Sequence, residues 1–150
     1  MELREAVEHV GAQRPDALQP AHDLGLAMQL TNFLRDIGED YQQRGRIYLP
    51  LEDMRRFGYP EDCLAAGVVN DAFRSLMRFS IARARSYYDA ADAGMHLIPA
   101  RNRLPVRLAR ILYSRILDKI EACDYDVFRH RAATSPAEKL TVAIRESLTR

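Results

Sequence analysis

The chain has 150 residues, a formal charge of +1 and 47% hydrophobic content, which is enough apolar material for one sizeable core and requires no second domain. The near-neutral balance gives no global electrostatic case for nucleic acid, Cys63 and Cys123 lack CxxC or Cys/His ligand spacing, and no charge-free apolar stretch of roughly 18 residues marks a membrane span. With no signal-peptide pattern visible, the expectation is a cytoplasmic chain with reduced thiols.

In chain order, Met1 to Val10 reads as the tail of a helix ending at Gly11, and Pro15 to Pro20 as a turn into a long helix over about residues 17–42. Gly45 breaks that helix. Short helical pieces are predicted over Leu51 to Phe57 and Glu61 to Ala66, punctuated by Gly58, Pro60 and Gly67. A second long helix runs from Asp71 to Leu97, with Asn70 as its cap and Pro99 as its stop. Phe73, Leu76, Met77, Ile81, Ala84, Tyr88 and Ala91 form its apolar stripe. A third spans Pro105 to Cys123 with Leu108, Ile111, Leu112, Ile116 and Ile120 inward, leaving Asp118 and Glu121 in structural or solvated roles. Ser135, Pro136 and Glu138 read as N-cap, first-turn proline and capping-box acid of a terminal helix. No strand-period segment competes, so the predicted class is all-α.

The most informative stretch is QLTNFLRDIGED, Gln29 to Asp40. At about 100° per residue, Gln29, Asn32, Asp36, Glu39 and Asp40 share one stripe roughly 100° wide. Leu26, Leu30, Phe33, Leu34 and Ile37 fill much of the remaining circumference, so the polar stripe faces something other than bulk water. Carboxylates stacked one turn apart repel unless a cation or donors compensate. Mg²⁺ suits them, since it takes one or two carboxylates and completes its shell with water and phosphate oxygens. The alternatives are a solvated acidic face, or neutralisation by Arg35, Arg44 and Arg46. Beyond Asp40, Arg44 and Arg46 flank Gly45 and Tyr48 follows, so an acidic helix end meets a basic loop whose guanidinium forks match phosphate oxygens.

These residues carry a resemblance. The run DLGLAMQLTNFLRDIGEDYQQRGRIYLPLEDMRRFGY resembles the second aspartate-rich region of the squalene and phytoene synthases, the head-to-head prenyl transferases. The similarity continues through Tyr87 and Tyr88 and through LYSRILDKIEACDYDVF, Leu112 to Phe128, to Lys139 and Leu140. GRIYLPLEDMRRFGY and the YDVF element most resemble bacterial phytoene synthases. The family uses two aspartate-rich motifs on facing helices, and no DxxxD segment precedes Asp23. The resemblance therefore implies that residues 1–150 are one helical region, the C-terminal half of an isoprenoid-synthase-type bundle, with an N-terminal half as missing partner.

The implied reaction condenses two geranylgeranyl diphosphates to phytoene through a cyclopropyl intermediate, with Mg²⁺ or Mn²⁺ assisting diphosphate release and no NADPH required. Asn32, Asp36 and Asp40 are the implied metal ligands, while Gln29 and Glu39 line the same stripe. Arg46 and Tyr48 approach the leaving group. Tyr113 lies near the diphosphate in the resembling family, or is a core tyrosine with one satisfied bond. Arg131 and Lys139 resemble the family's late basic residues, with Arg129 or His130 as alternative counterparts. His9, His22, His96 and His130 show no ligand spacing. Other readings are a squalene or dehydrosqualene synthase using farnesyl diphosphate, and a non-catalytic helical subunit that binds prenyl diphosphate. Long hydrocarbon substrates and products imply peripheral attachment at the inner face of a membrane.

Overall fold

The computed structural model describes residues 15–148, so the helix expected over Met1 to Val10 lies outside the described residues. After a 3₁₀ turn at Pro15–Ala17, six α-helices follow: α1 (Leu18–Arg44), α2 (Leu51–Arg56), α3 (Glu61–Ala65), α4 (Asp71–Ala93), α5 (Ala100–Ala122) and α6 (Pro136–Leu148), with a second 3₁₀ turn at Met95–Leu97. No strand occurs among the described residues, as the sequence pattern predicts. No described helix is long and apolar enough to cross a membrane.

The long helix α1 packs mainly on α4, with α5 as its second neighbour, and α6 rests on α5. All seven apolar positions expected of α4 are buried, and Asn70 caps the helix by accepting the Phe73 N–H at 2.9 Å. On α1, Ala27, Leu34 and Ile37 are buried, while Leu26, Leu30 and Phe33 are half-buried. Thr31 is fully buried; its hydroxyl donates to the Ala27 carbonyl at 2.7 Å and lies 3.0 Å from the Tyr88 hydroxyl. Since Thr31 has one hydroxyl proton and has given it away, Tyr88 is the donor in the second bond. Ion pairs then lock α4 to α5: Arg85 bridges Asp118 and Glu121, and Arg110 engages Asp92 while lying over the Tyr88 ring.

Two helix ends differ from the sequence reading. The second long helix stops at Ala93 instead of Leu97, because Gly94 sits so close to α1 that a Cβ there would lie 2.2 Å from the Pro20 ring. The third begins at Ala100 and takes Pro105 into its interior. Proline removes one helix hydrogen bond there, and Arg103 ties the opening turns down by donating to the carbonyls of His96 and Ile98. In α5, Ile116, Leu117 and Ile120 are buried, whereas Leu108, Ile111 and Leu112 are only half-buried. The capping box forms as expected. Ser135 N–H donates to Glu138 at 2.6 Å, and Glu138 N–H donates back to the Ser135 hydroxyl at 3.2 Å. With Lys119 added, these bonds hold the Glu138 carboxyl down to about 2.

Two glycines of α1 play opposite parts. A Cβ on Gly38 would lie 2.9 Å from the Phe128 Cα and 3.0 Å from the Val127 carbonyl, so the bare backbone lets the 127–128 segment lie directly on the helix. Gly25 has nothing within 4 Å of a Cβ. Urea denaturation of the single variants should therefore separate them. Gly38→Ala is expected to destabilise by about 1–3 kcal/mol through overpacking, whereas Gly25→Ala should stabilise this chain by about 0.5–1 kcal/mol through helix propensity.

Candidate functional site

The last turns of α1 carry the polar stripe, and Gly45 ends the helix in the left-handed region (φ 60°), with its N–H donating to the Tyr41 carbonyl at 2.9 Å. The chain then doubles back along α1. Tyr48 stacks on Phe33 with ring centroids 4.2 Å apart and planes 6° from parallel, and Arg46 donates to the Tyr48 hydroxyl at 3.4 Å. A second strap arrives from the other side. Asp124 and Tyr125 take up left-handed conformations after α5 (φ 55° and 63°), and Arg74 holds the Asp124 carboxylate in a fork at 3.0 and 2.7 Å. Val127 and Phe128 then settle on Gly38, which delivers Arg131 to the stripe.

Asp36 is the centre of the resulting cluster. Arg35 donates to it through Nε at 2.8 Å and engages its other oxygen with a terminal nitrogen, while Arg131 Nε reaches Asp36 at 3.0 Å and Glu39 at 3.3 Å. Burial pushes the Asp36 carboxyl up, but hydrogen bonds from Arg35 and Arg131, with both positive charges, outweigh it and hold the carboxyl below its usual range. Asp40 is buried and paired with Arg44 at 2.7 Å, and its charge also acts on Arg46. Tyr113 is half-buried against the core, and its phenol adds a minor electrostatic influence on Arg35. Gln29 is exposed and Asn32 half-buried on the same stripe, and neither makes a side-chain hydrogen bond to another described residue.

The expected residues are thus brought together on one side of α1, with arginines already paired to all three of its acids, Asp36, Glu39 and Asp40. Of the late basic residues, Arg131 reaches the stripe, whereas Arg129 lies 3.8 Å from Asp126, and His130 and Lys139 are exposed elsewhere. Arg35 is a site residue that the sequence reading treated only as a neutralising neighbour. Its signal was its place one residue before Asp36. Successive helical residues do not normally face each other, but the guanidinium is long enough to fold across.

Among the described residues no three His, Cys, Asp or Glu side chains converge as a closed cation cage. The donor set instead suits a hard cation that takes most of its shell from phosphate and water: the carboxylates Asp36 and Asp40 and the unpartnered amide of Asn32 share a face, and guanidiniums stand ready for the anion. Mg²⁺ meets that description. The cluster can therefore bind a polyanion through Arg35, Arg44, Arg46 and Arg131, with a cation exchanging for guanidinium at the acids.

Comparison with known proteins gives a consistent outcome. Residues 4–138 match the family described as squalene/phytoene synthase. The chain is 50% identical over 131 residues to the 15-cis-phytoene synthase of Synechocystis sp., covering 85% of this chain and 39% of that protein. It is 47% identical over 117 residues to the chloroplastic phytoene synthase of Daucus carota, covering 78% and 29%. A solved dehydrosqualene synthase in complex with ligand superposes with a TM-score of 0.82 at 32% identity, over 90% of this chain and 47% of that one. YisP from Bacillus subtilis gives 0.79 at 33% identity, over 88% and 52%. The chain spans about two fifths of the Synechocystis relative.

The Asp36 environment has a pH signature. A carboxyl whose folded value lies below its unfolded one stabilises the fold above the ordinary carboxylate range, near ~3.9, and loses that contribution as pH falls through the folded value. In acid unfolding followed by circular dichroism, Asp36→Asn should be less stable than the parent at neutral pH, with a smaller further loss below about pH 4. Parallel curves for the two proteins would show that the Arg35–Asp36–Arg131 cluster contributes no linkage.

Proposed function

Because the chain belongs to the squalene/phytoene synthase family, we propose that it is the C-terminal portion of a prenyl transferase that condenses two geranylgeranyl diphosphates to phytoene. The observation that carries this reading is the Asn32–Asp36–Asp40 face of α1, surrounded by four guanidiniums and the Tyr48 and Tyr113 phenols. The phytoene reading is preferred to squalene or dehydrosqualene because the curated relatives at about half identity are named phytoene synthases. Phytoene formation consumes no reductant, so NADPH has no place in it.

In this proposal Arg35, Arg46 and Arg131 bind diphosphate oxygens in the fork geometry suited to that group. Mg²⁺, or Mn²⁺ in its place, would be held by Asp36 and Asp40 with Asn32, and when bound supplies the charge that stabilises the departing diphosphate. Gln29 and Glu39 orient ligands or water along the same stripe. Tyr48, fixed by its stack on Phe33, and Tyr113 present hydroxyls that donate to phosphate oxygens. The apolar side chains behind α1 exclude water from the carbocation left after diphosphate departs. An upstream portion, as in the longer relatives, supplies the facing acidic helix.

The chain alone, given labelled geranylgeranyl diphosphate and Mg²⁺, is expected to release no hydrocarbon, and joining it to the upstream portion of a relative should restore phytoene. In that joined protein, Asp36→Asn should lower kcat by roughly 100-fold or more, the scale seen when one charge-stabilising group is removed. Unchanged diphosphate release in that variant would remove Asp36 from the mechanism. Mg²⁺-dependent substrate binding that never leads to turnover would favour a non-catalytic binding subunit.

A further inference from the structure

Asp53 is a buried acid that the proposed diphosphate chemistry does not use. It sits in the first turn of α2, only 8% exposed, and pairs with Arg83 of α4, whose terminal nitrogen lies 2.9 Å from a carboxylate oxygen. The contact is one of charge, since that oxygen makes no aligned hydrogen bond. The Arg83 guanidinium also lies over the Phe79 ring, 4.7 Å from its centroid. With Phe33, Tyr48, Leu49, Pro50 and Ser80, Arg83 lines a small cavity between α1, α4 and the strap that leads from Gly45 into α2. The strap is fastened at its two ends. Upstream, the Gly45 and Arg46 N–H groups donate to the Tyr41 and Asp40 carbonyls at 2.9 and 3.2 Å. Downstream, the Met54 N–H donates to the Pro50 carbonyl at 3.0 Å, and Asp53 is pinned to Arg83. Between these ends, no backbone–backbone hydrogen bond joins Ile47, Tyr48 or Leu49 to another of the described residues.

We infer that Arg83 is a positioning residue for the diphosphate site: its ion pair with Asp53 sets where the strap lies on α1, and so holds the Tyr48 ring on Phe33 with its hydroxyl beside Arg46. Stability alone is a poor account of the pair. A buried ion pair gains little over apolar side chains of the same shape, but it fixes one geometry, because a displaced acid is left buried without its counter-charge. The ring stack by itself leaves the strap free to slide along α1, since aromatic pairs accept a range of offsets. The tie at Asp53, five residues on, removes that freedom. Arg56, over the Phe79 ring at 4.9 Å, and Phe57, 5.3 Å from the same ring, bind the far end of α2 to α4 as well. The strap thus runs into a short helix fastened to α4 at several points. The inference rests on the diphosphate reading for what the Tyr48 hydroxyl does, and not for where the ring is held.

The test uses the 150-residue chain carrying isotope-labelled tyrosine, with the Tyr48 ring signal in the NMR spectrum assigned by its loss in Tyr48→Phe. Without ligand, Arg83→Met should move that signal out of the Phe33 ring current while the Tyr88 and Tyr125 signals stay in place. Arg83→Lys, which keeps the charge, should return it. If Arg83→Met fails to fold because Asp53 is left unpaired, Arg83→Met combined with Asp53→Asn carries the same test without a stranded charge. Binding of magnesium pyrophosphate, measured by calorimetry, should weaken about 10-fold in Arg83→Met, the scale of one hydrogen bond to a charged group. Tyr48→Phe should weaken it equally, and the variant carrying both substitutions should lose no more than either alone. The inference is overturned if the Tyr48 signal stays in place in Arg83→Met, if all the tyrosine signals move together, or if the two substitutions weaken pyrophosphate binding additively. A parent chain that fails to bind pyrophosphate counts against the diphosphate reading, and the ligand-free ring signal still decides this inference.

Discussion

The absence of a side chain at Gly38 is the constraint on which the arrangement of this protein turns. Only a bare Cα lets the backbone of Val127 and Phe128 lie against the C-terminal third of α1, and from there the chain runs on to Arg131. The contact is prepared from both sides. Asp124 and Tyr125 take the left-handed turn that sends the chain back toward α1, and Phe128 packs on Phe73 of α4 with ring centroids 5.2 Å apart. A packing detail in the core thus determines which guanidinium meets Asp36.

The cluster so formed is balanced in charge before any ligand arrives. Asp36 and Asp40 are too sheltered to stand alone without a large desolvation penalty, and Arg35, Arg131 and Arg44 supply the compensation. Guanidinium and divalent cation are alternative partners for the same carboxylate, and phosphate is an alternative partner for the same guanidinium. Under the proposed function, a metal diphosphate would enter by exchanging partners with this cluster. Arginines and acids both take part in the cluster as it stands, whereas the reading from helical spacing centred on the acids.

The helical class, the stripe of α4, the Gly45 stop, the Asn70 cap and the Ser135–Glu138 box were legible because each is written in local spacing or in a residue with a strong conformational preference. The polar face of α1 was legible for the same reason. What escaped depends on distant contacts. The end of α4 is decided by Pro20 pressing on Gly94, more than seventy residues away in sequence, and the early start of α5 by Arg103 anchoring the turns before Pro105. The choice of Arg131 over Arg129 and His130 depends on where the Phe128 strap lands. The outward face of α6, with Leu140, Ile144 and Leu148 exposed, was hidden because a helical wheel gives the separation of two faces without saying which of them is turned to the protein; Lys119 and Arg107 on α5, which pair with Glu138 and Glu146, decide that.

The buried bond between Thr31 and Tyr88 carries an evolutionary consequence. Its proton ordering is fixed, with the Thr31 hydrogen committed to Ala27 and the Tyr88 hydrogen to Thr31. Loss of the Thr31 hydroxyl strands the Tyr88 proton in a dry interior, loss of the Tyr88 hydroxyl leaves Thr31 still donating to Ala27, and loss of both can be nearly neutral. Descendants of this sequence should therefore lose the pair in one order, Tyr to Phe first and Thr to a small apolar residue second, with the reverse intermediate rare. Helices separated by 57 positions in the chain are in this way tied to a shared mutational history.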